Sequence, residues 1–187
     1  SGSMHGEPIE AVKNGVQTLL TTLKQDPYAL ETAYVSVITF DSSARQAVPL
    51  TDLLSFQMPA LTASGTTSLG EALTLTASSI AKEVQKTTAD TKGDWRPLVF
   101  LMTDGSPNDD WRKGLNDFKA ARTGVVVACA AGHDADTSVL KEITEIVVQL
   151  DTADSSTIKA FFKWVSASIS VGSQKVESSK KEVIGLE

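Results

Sequence analysis

The chain contains one cysteine, Cys129, so no disulfide can form within it. That thiol lies in the apolar run Val125–Ala131 and reads as a buried, inert side chain suited to a reducing compartment. Two histidines, His5 and His133, with no cysteine cluster beside them, do not make a zinc site. No apolar run approaches the roughly 20 residues that cross a bilayer, and no signal-peptide pattern opens the chain. A soluble, cytoplasmic protein without membrane insertion is therefore expected. No G-x-x-x-x-G-K-[ST] phosphate loop occurs, and Gly65-Thr66-Thr67 is too short to stand in for one. There is no G-x-S-x-G nucleophile elbow, and nothing selects a general acid–base pair. Lysine and arginine, 17 together, are outnumbered by 23 acidic residues, for a net charge of −6. That balance argues against non-specific binding to nucleic acid or anionic membrane.

What the chain does have is the make-up of one globular domain. Its 187 residues, 41% hydrophobic and 21% charged, can bury a core without covalent or metal staples. Ile9, Val12, Val16, Leu19, Leu20 and Leu23 recur at helical spacing, with Pro8 near the start and Asp26-Pro27 at the end. Tyr34–Phe40 reads as a strand, Asp41-Ser42-Ser43 as a turn, and Ala44–Val48 as a short return strand ending at Pro49. Leu53–Leu61 is weakly patterned and is expected to form a short helix.

Further along, a helix is expected from about Ser68 to Val84, then a polar loop over Lys86–Gly93. Leu98–Met102 and Gly124–Ala131 are continuously apolar, as in parallel strands covered on both faces. Trp111, Leu115 and Phe118 mark one intervening helix, and Val139, Leu140 and Ile143 another. Ile146–Leu150 is a last short strand, and Ile158, Phe161, Phe162, Val165 and Ile169 stripe the final helix. The alternation gives an α/β fold, a doubly wound and mainly parallel sheet flanked by helices. The domain is expected over residues 1–170, with 171–187 a polar, mobile C-terminal tail or linker.

Ligands of such sheets bind outside the carboxyl ends of the strands, where Asp41 and Asp104 lie. Asp104 is a candidate ligand there, or an Asp that merely opens a turn. Ser68-Leu69-Gly70-Glu71 fits a capping box, so the hydroxyls around Thr67 have a structural as well as a metal-binding reading. Ser1-Gly2-Ser3 before Met4 has the form of a cloning scar as well as of native chain. Glu7 and Glu10 read as acidic support for a helix start. Asp109-Asp110 reads as another acidic helix start, beside a Trp111 that could anchor a partner if exposed. Three hydroxyls and a carboxylate are hard oxygen ligands of the kind Mg²⁺ accepts.

Ser1-Gly2-Ser3-Met4-His5-Gly6 resembles the end of the D-x-S-G-S motif of von Willebrand factor A domains. Gly65-Thr66-Thr67-Ser68-Leu69-Gly70-Glu71-Ala72-Leu73 is similar to that family's G-G-T-x-x-G-x-A-L segment. Leu98–Met102 with Thr103-Asp104-Gly105 is similar to its apolar strand and T-D-G turn. Gly6–Val12 and Asp104–Trp111 resemble the bacterial tellurite-resistance members of the family. The resemblance implies a metal-ion-dependent adhesion site at Ser1, Ser3, Thr67 and Asp104, holding Mg²⁺ or another divalent cation such as Mn²⁺ or Ca²⁺. It implies a non-enzymatic protein-interaction domain that captures a partner carboxylate, working with other tellurite-resistance proteins in a stress response. It also implies a first, central strand ending in a further Asp ligand, which the given chain lacks. The rival readings are a Mg²⁺-dependent phosphoryl-transfer or hydrolytic enzyme on the same rim, and a metal-free scaffold.

Overall fold

Pro8 sits in the first turn of α1 (Glu7–Gln25), where its missing N–H costs nothing. The Asp26 carboxylate then accepts from the N–H groups of Tyr28 and Ala29 and starts α2 (Pro27–Thr32). The computed structural model of the protein describes residues 1–132, 136–150 and 154–184, with the side chains of the last helix described as far as Val171.

β1 (Tyr34–Phe40) turns through Asp41-Ser42-Ser43 into the antiparallel β2 (Ala44–Asp52). β2 is longer than the expected Ala44–Val48. Pro49 falls at a register shift, where Val37 faces Val48 but Val35 faces Thr51, and a bulge tolerates the missing donor. The helix expected over Leu53–Leu61 does not form. Asp52 accepts from Leu54 and Ser55 N–H to make a tight turn, and the chain then runs irregularly through Pro59. Its apolar residues still find the core, with Leu53, Phe56 and Leu61 all buried.

The remaining elements alternate as α3 (Leu69–Glu83), β3 (Val99–Thr103), α4 (Trp111–Ala120), β4 (Val126–Ala131), α5 (Thr137–Ile143), β5 (Val147–Leu150) and α6 (Ser155–Ile184). β3, β4 and β5 pair in parallel in that order, Val99 opposite Val126 and Ala128 opposite Val147. The segment expected to leave the domain after residue 170 continues the same helix to Ile184, and 185–187 lie outside the described residues.

Alternate residues of the strands feed two cores. Val127, Cys129 and Leu150 pack with α1, α2 and α6 on one face, while Ala128 and Ala130 pack with α3, α4 and α5 on the other. Helices on both faces of a parallel sheet make this the doubly wound α/β arrangement. The hydrogen-bonded ladder is divided, however: β1 and β2 form one sheet and β3, β4 and β5 another. One edge of β1 and one edge of β3 have no ladder partner among the described residues.

Two features of this packing have measurable consequences. A Cβ on Gly114 of α4 would lie 2.0 Å from the carbonyl oxygen of Gly70 in α3 and 2.8 Å from its Cα. The two helices therefore touch backbone to backbone, and Gly114→Ala must push them apart. Overpacking costs about 1–3 kcal/mol, against about 1 kcal/mol of helix propensity gained by alanine. A net loss in the urea midpoint is expected. Cys129 is fully buried and burial pushes its thiol up to about 12, so a disulfide reagent at pH 8 should label it only in denaturant.

Candidate metal centre

The rim is built from three loops at the carboxyl ends of the strands. The first is a single 3-10 turn, Gly2–Met4, ahead of α1, and its Gly2 N–H donates to Gly65 O at 3.0 Å in the second loop. Gly65 takes φ +60, and a Cβ there would strike Ser42 Oγ at 2.2 Å, so only glycine lets the loops close. Ser42 Oγ also accepts from Thr66 N–H at 3.2 Å, and Asp41 O accepts from Ser68 N–H at 2.8 Å. The turn after β1 thus holds the second loop in place. The third loop leaves β3 through Asp104 and Gly105.

These loops bring all four expected residues together. Ser1 Oγ donates to Asp104 Oδ1 at 2.7 Å, Ser3 Oγ donates to the same oxygen at 2.9 Å, and the two hydroxyls are 2.8 Å apart. A Cβ on Gly105 would sit 3.3 Å from Thr67 Oγ1 and 3.9 Å from Ser3 Oγ, so these hydroxyls face one small space. Thr67 is buried as a residue, at 4% exposure, while its hydroxyl oxygen makes no hydrogen bond among the described residues and is reached by solvent.

This donor set suits a hard divalent cation. Three oxygens in a triangle have three contacts to fill, and two hydroxyls supply two protons, so one contact has no hydrogen bond. Neighbouring ligands each about 2.1 Å from an octahedral cation stand roughly 3 Å apart, close to the edges of this triangle. Among the described residues there is no group of three or more His, Cys, Asp or Glu side chains placed to hold a metal.

Several assignments made from local sequence change. Ser68 begins α3 but its side chain makes no capping bond. The free N–H groups of Gly70 and Glu71 donate instead to Asp109 Oδ1 and Oδ2, at 3.0 and 2.9 Å. Asp109 therefore caps α3 rather than α4. Beside it, Asn108 Oδ1 accepts from Thr67 N–H at 2.9 Å, and Asn108 N–H donates to Thr67 O at 3.0 Å. These two were missed as site residues because their partners lie 41 and 39 positions away. The one available signal is an Asn-Asp pair in the loop that carries Asp104. Trp111 is buried at 9% exposure, packed between α3 and α4 with Arg112 over its ring, and offers no exposed anchor.

Glu7 accepts from Ser155 N–H at 3.2 Å, so it caps α6 as well as sitting in the first turn of α1, and Glu10 pairs with Lys13. His5 is exposed on the adjoining turn, and His133 lies outside the described residues. Asp41 is the rim carboxylate with a perturbed proton affinity. The Ser64 hydroxyl, donating at 2.8 Å, and the Ser43 N–H hold it below the usual aspartate value.

The family model for the von Willebrand factor type A domain matches residues 1–163. The fold is similar to a von Willebrand factor type A structure from Catenulispora acidiphila, at 18% identity and a TM-score of 0.69, over 91% of this chain and 40% of that one. It is similar to proximal thread matrix protein 1 from the mussel byssus, at 19% identity and a TM-score of 0.63, over 85% and 42%. The conserved hypothetical protein BatB from Bacteroides thetaiotaomicron matches at 18% identity and a TM-score of 0.55, over 85% and 87%. The chain thus spans about two fifths of the mussel and Catenulispora proteins. No curated protein matches it.

Asp41 yields a pH prediction. Its folded-state proton affinity is depressed, so its contribution to stability is complete above about pH 4 and is lost as pH falls through the folded value. Urea midpoints measured from pH 6 down to pH 2.5 should show a shallower acid loss in Asp41→Asn than in the unaltered protein.

Proposed function

We propose that this chain, which belongs to the von Willebrand factor type A domain family, is a non-enzymatic protein-interaction domain whose grip depends on a divalent cation, Mg²⁺ first among the candidates. The observation that carries the reading is the convergence of Ser1, Ser3 and Asp104 into one oxygen triangle, with the unbonded Thr67 hydroxyl facing the same space.

The family is a general protein-interaction fold, and the rim suits that role. Ser1, Ser3 and Thr67 present neutral oxygens, and Asp104 adds one negative charge where the three loops meet. Ser3 and Thr66 are exposed and Asp104 is half-buried, so the rim is open to a macromolecule. When bound, the cation would supply positive charge and a coordination position for a carboxylate of the partner. Without it, Asp41, Asp104, Asp109 and Asp110 leave the rim acidic, and an acidic partner is repelled. Binding is thereby made conditional on the metal.

The partner is a protein. Gly6–Val12 and Asp104–Trp111 resemble the tellurite-resistance protein TerY, which supports a cytoplasmic role beside other proteins of a bacterial tellurite-resistance system. The net charge of −6 speaks against nucleic acid as the partner. No helix among the described residues is long and apolar enough to cross a membrane.

The test pairs calorimetry with capture. Mg²⁺ or Mn²⁺ titrated into the protein should give a saturable heat. Asp104→Ala should weaken binding at least tenfold with the circular dichroism unchanged. Capture of partners from the native cell should fall with EDTA and with Asp104→Ala alike. Absence of saturable heat, with capture indifferent to both, would sink the proposal.

A further inference from the structure

We infer that Asn108 is a positioning residue for the cation, acting through Thr67; this rests on the reading of the rim as a cation site. The three hydroxyls are not held alike. Those of Ser1 and Ser3 are aimed by hydrogen bonds to Asp104. The Thr67 hydroxyl has no such bond, so its direction follows from the placement of its backbone.

Asn108 controls that backbone from both sides. Its amide oxygen takes the Thr67 N–H and its own N–H gives to the Thr67 carbonyl, so one residue grips both peptide groups of another 41 positions away. Asn108 is itself exposed, so no burial demand explains the use of its side chain. It also lies four positions after Asp104 on the same loop. The clamp therefore fixes the Thr67 hydroxyl relative to the carboxylate across the space that Gly105 leaves open. Removing the side chain frees the Thr67 N–H and leaves only the Asn108 N–H to Thr67 O bond of the pair, while all four candidate ligands remain.

Partners that orient metal ligands typically cost 10–100-fold in affinity when removed. A double-mutant cycle on Mn²⁺ affinity separates positioning from general stability. It uses the 187-residue chain, Asn108→Ala, Thr67→Val and the double variant, with urea midpoints measured for each. Asn108→Ala should weaken Mn²⁺ binding about tenfold in the unaltered background and less than about twofold once Thr67 has lost its hydroxyl. In metal-free protein, the Thr67 amide should exchange with solvent faster in Asn108→Ala, a readout independent of any ion. If the starting protein binds Mn²⁺ but Asn108→Ala does not weaken it, or weakens it equally in both backgrounds, Asn108 has no positioning role and the cation site stands. If the starting protein binds no Mn²⁺, the cation reading fails and this inference falls with it.

Discussion

The Asp109 carboxylate, laid across the first turn of α3, is the contact on which the rim depends. A helix start exposes N–H groups that must find acceptors, and the hydroxyls nearest to hand would ordinarily supply them. Here Gly70 and Glu71 are satisfied from another loop, so neither Thr67 nor Ser68 has to turn its side chain onto the helix. The Thr67 hydroxyl is left without a capping bond for that reason. The same bond sets the spacing between α3 and the loop before α4, a spacing the bare contact of Gly70 with Gly114 also enforces. One acceptor in the right place therefore serves the capping of a helix, the approach of two helices and the freedom of the Thr67 hydroxyl.

Much of this was written in the sequence wherever the physics is local. Stripes such as Ile9–Leu23 gave a helix, and the unbroken apolar runs at Leu98–Met102 and Gly124–Ala131 gave parallel strands because both of their faces are covered. The rim fragments stood out through their resemblance to von Willebrand factor A motifs, since each hydroxyl and Asp104 taken locally also reads as a cap or a turn. The failures share a cause. Whether Asp109 caps the helix after it or one far behind it, and whether Trp111 is covered, depend on how α3 packs against α4. β2 passes Pro49 because a bulge in its pairing with β1 absorbs it, and no short window shows that. Leu53–Leu61 has apolar residues enough for a helix, but Asp52 and Pro59 direct the chain into a turn and an extended path, and tertiary packing buries those residues all the same.

The chemistry of the rim follows from what it is made of. Hydroxyls carry no formal charge, so under the proposed reading three of them with one carboxylate would leave a divalent ion largely uncompensated, and an outside acid would gain from meeting it. A site built from several carboxylates would hold its ion more tightly and would attract such a partner less. The acid groups that are present have other duties: Asp41 secures Ser64, and Asp109 secures α3.

The rim also ties together elements that are distant in the chain. Ser1 meets both Phe40, at the end of β1, and Asp104, after β3, and Thr67 meets Asn108 across the same rim. A change at any one of these three loops is therefore felt by residues that follow both β1 and β3.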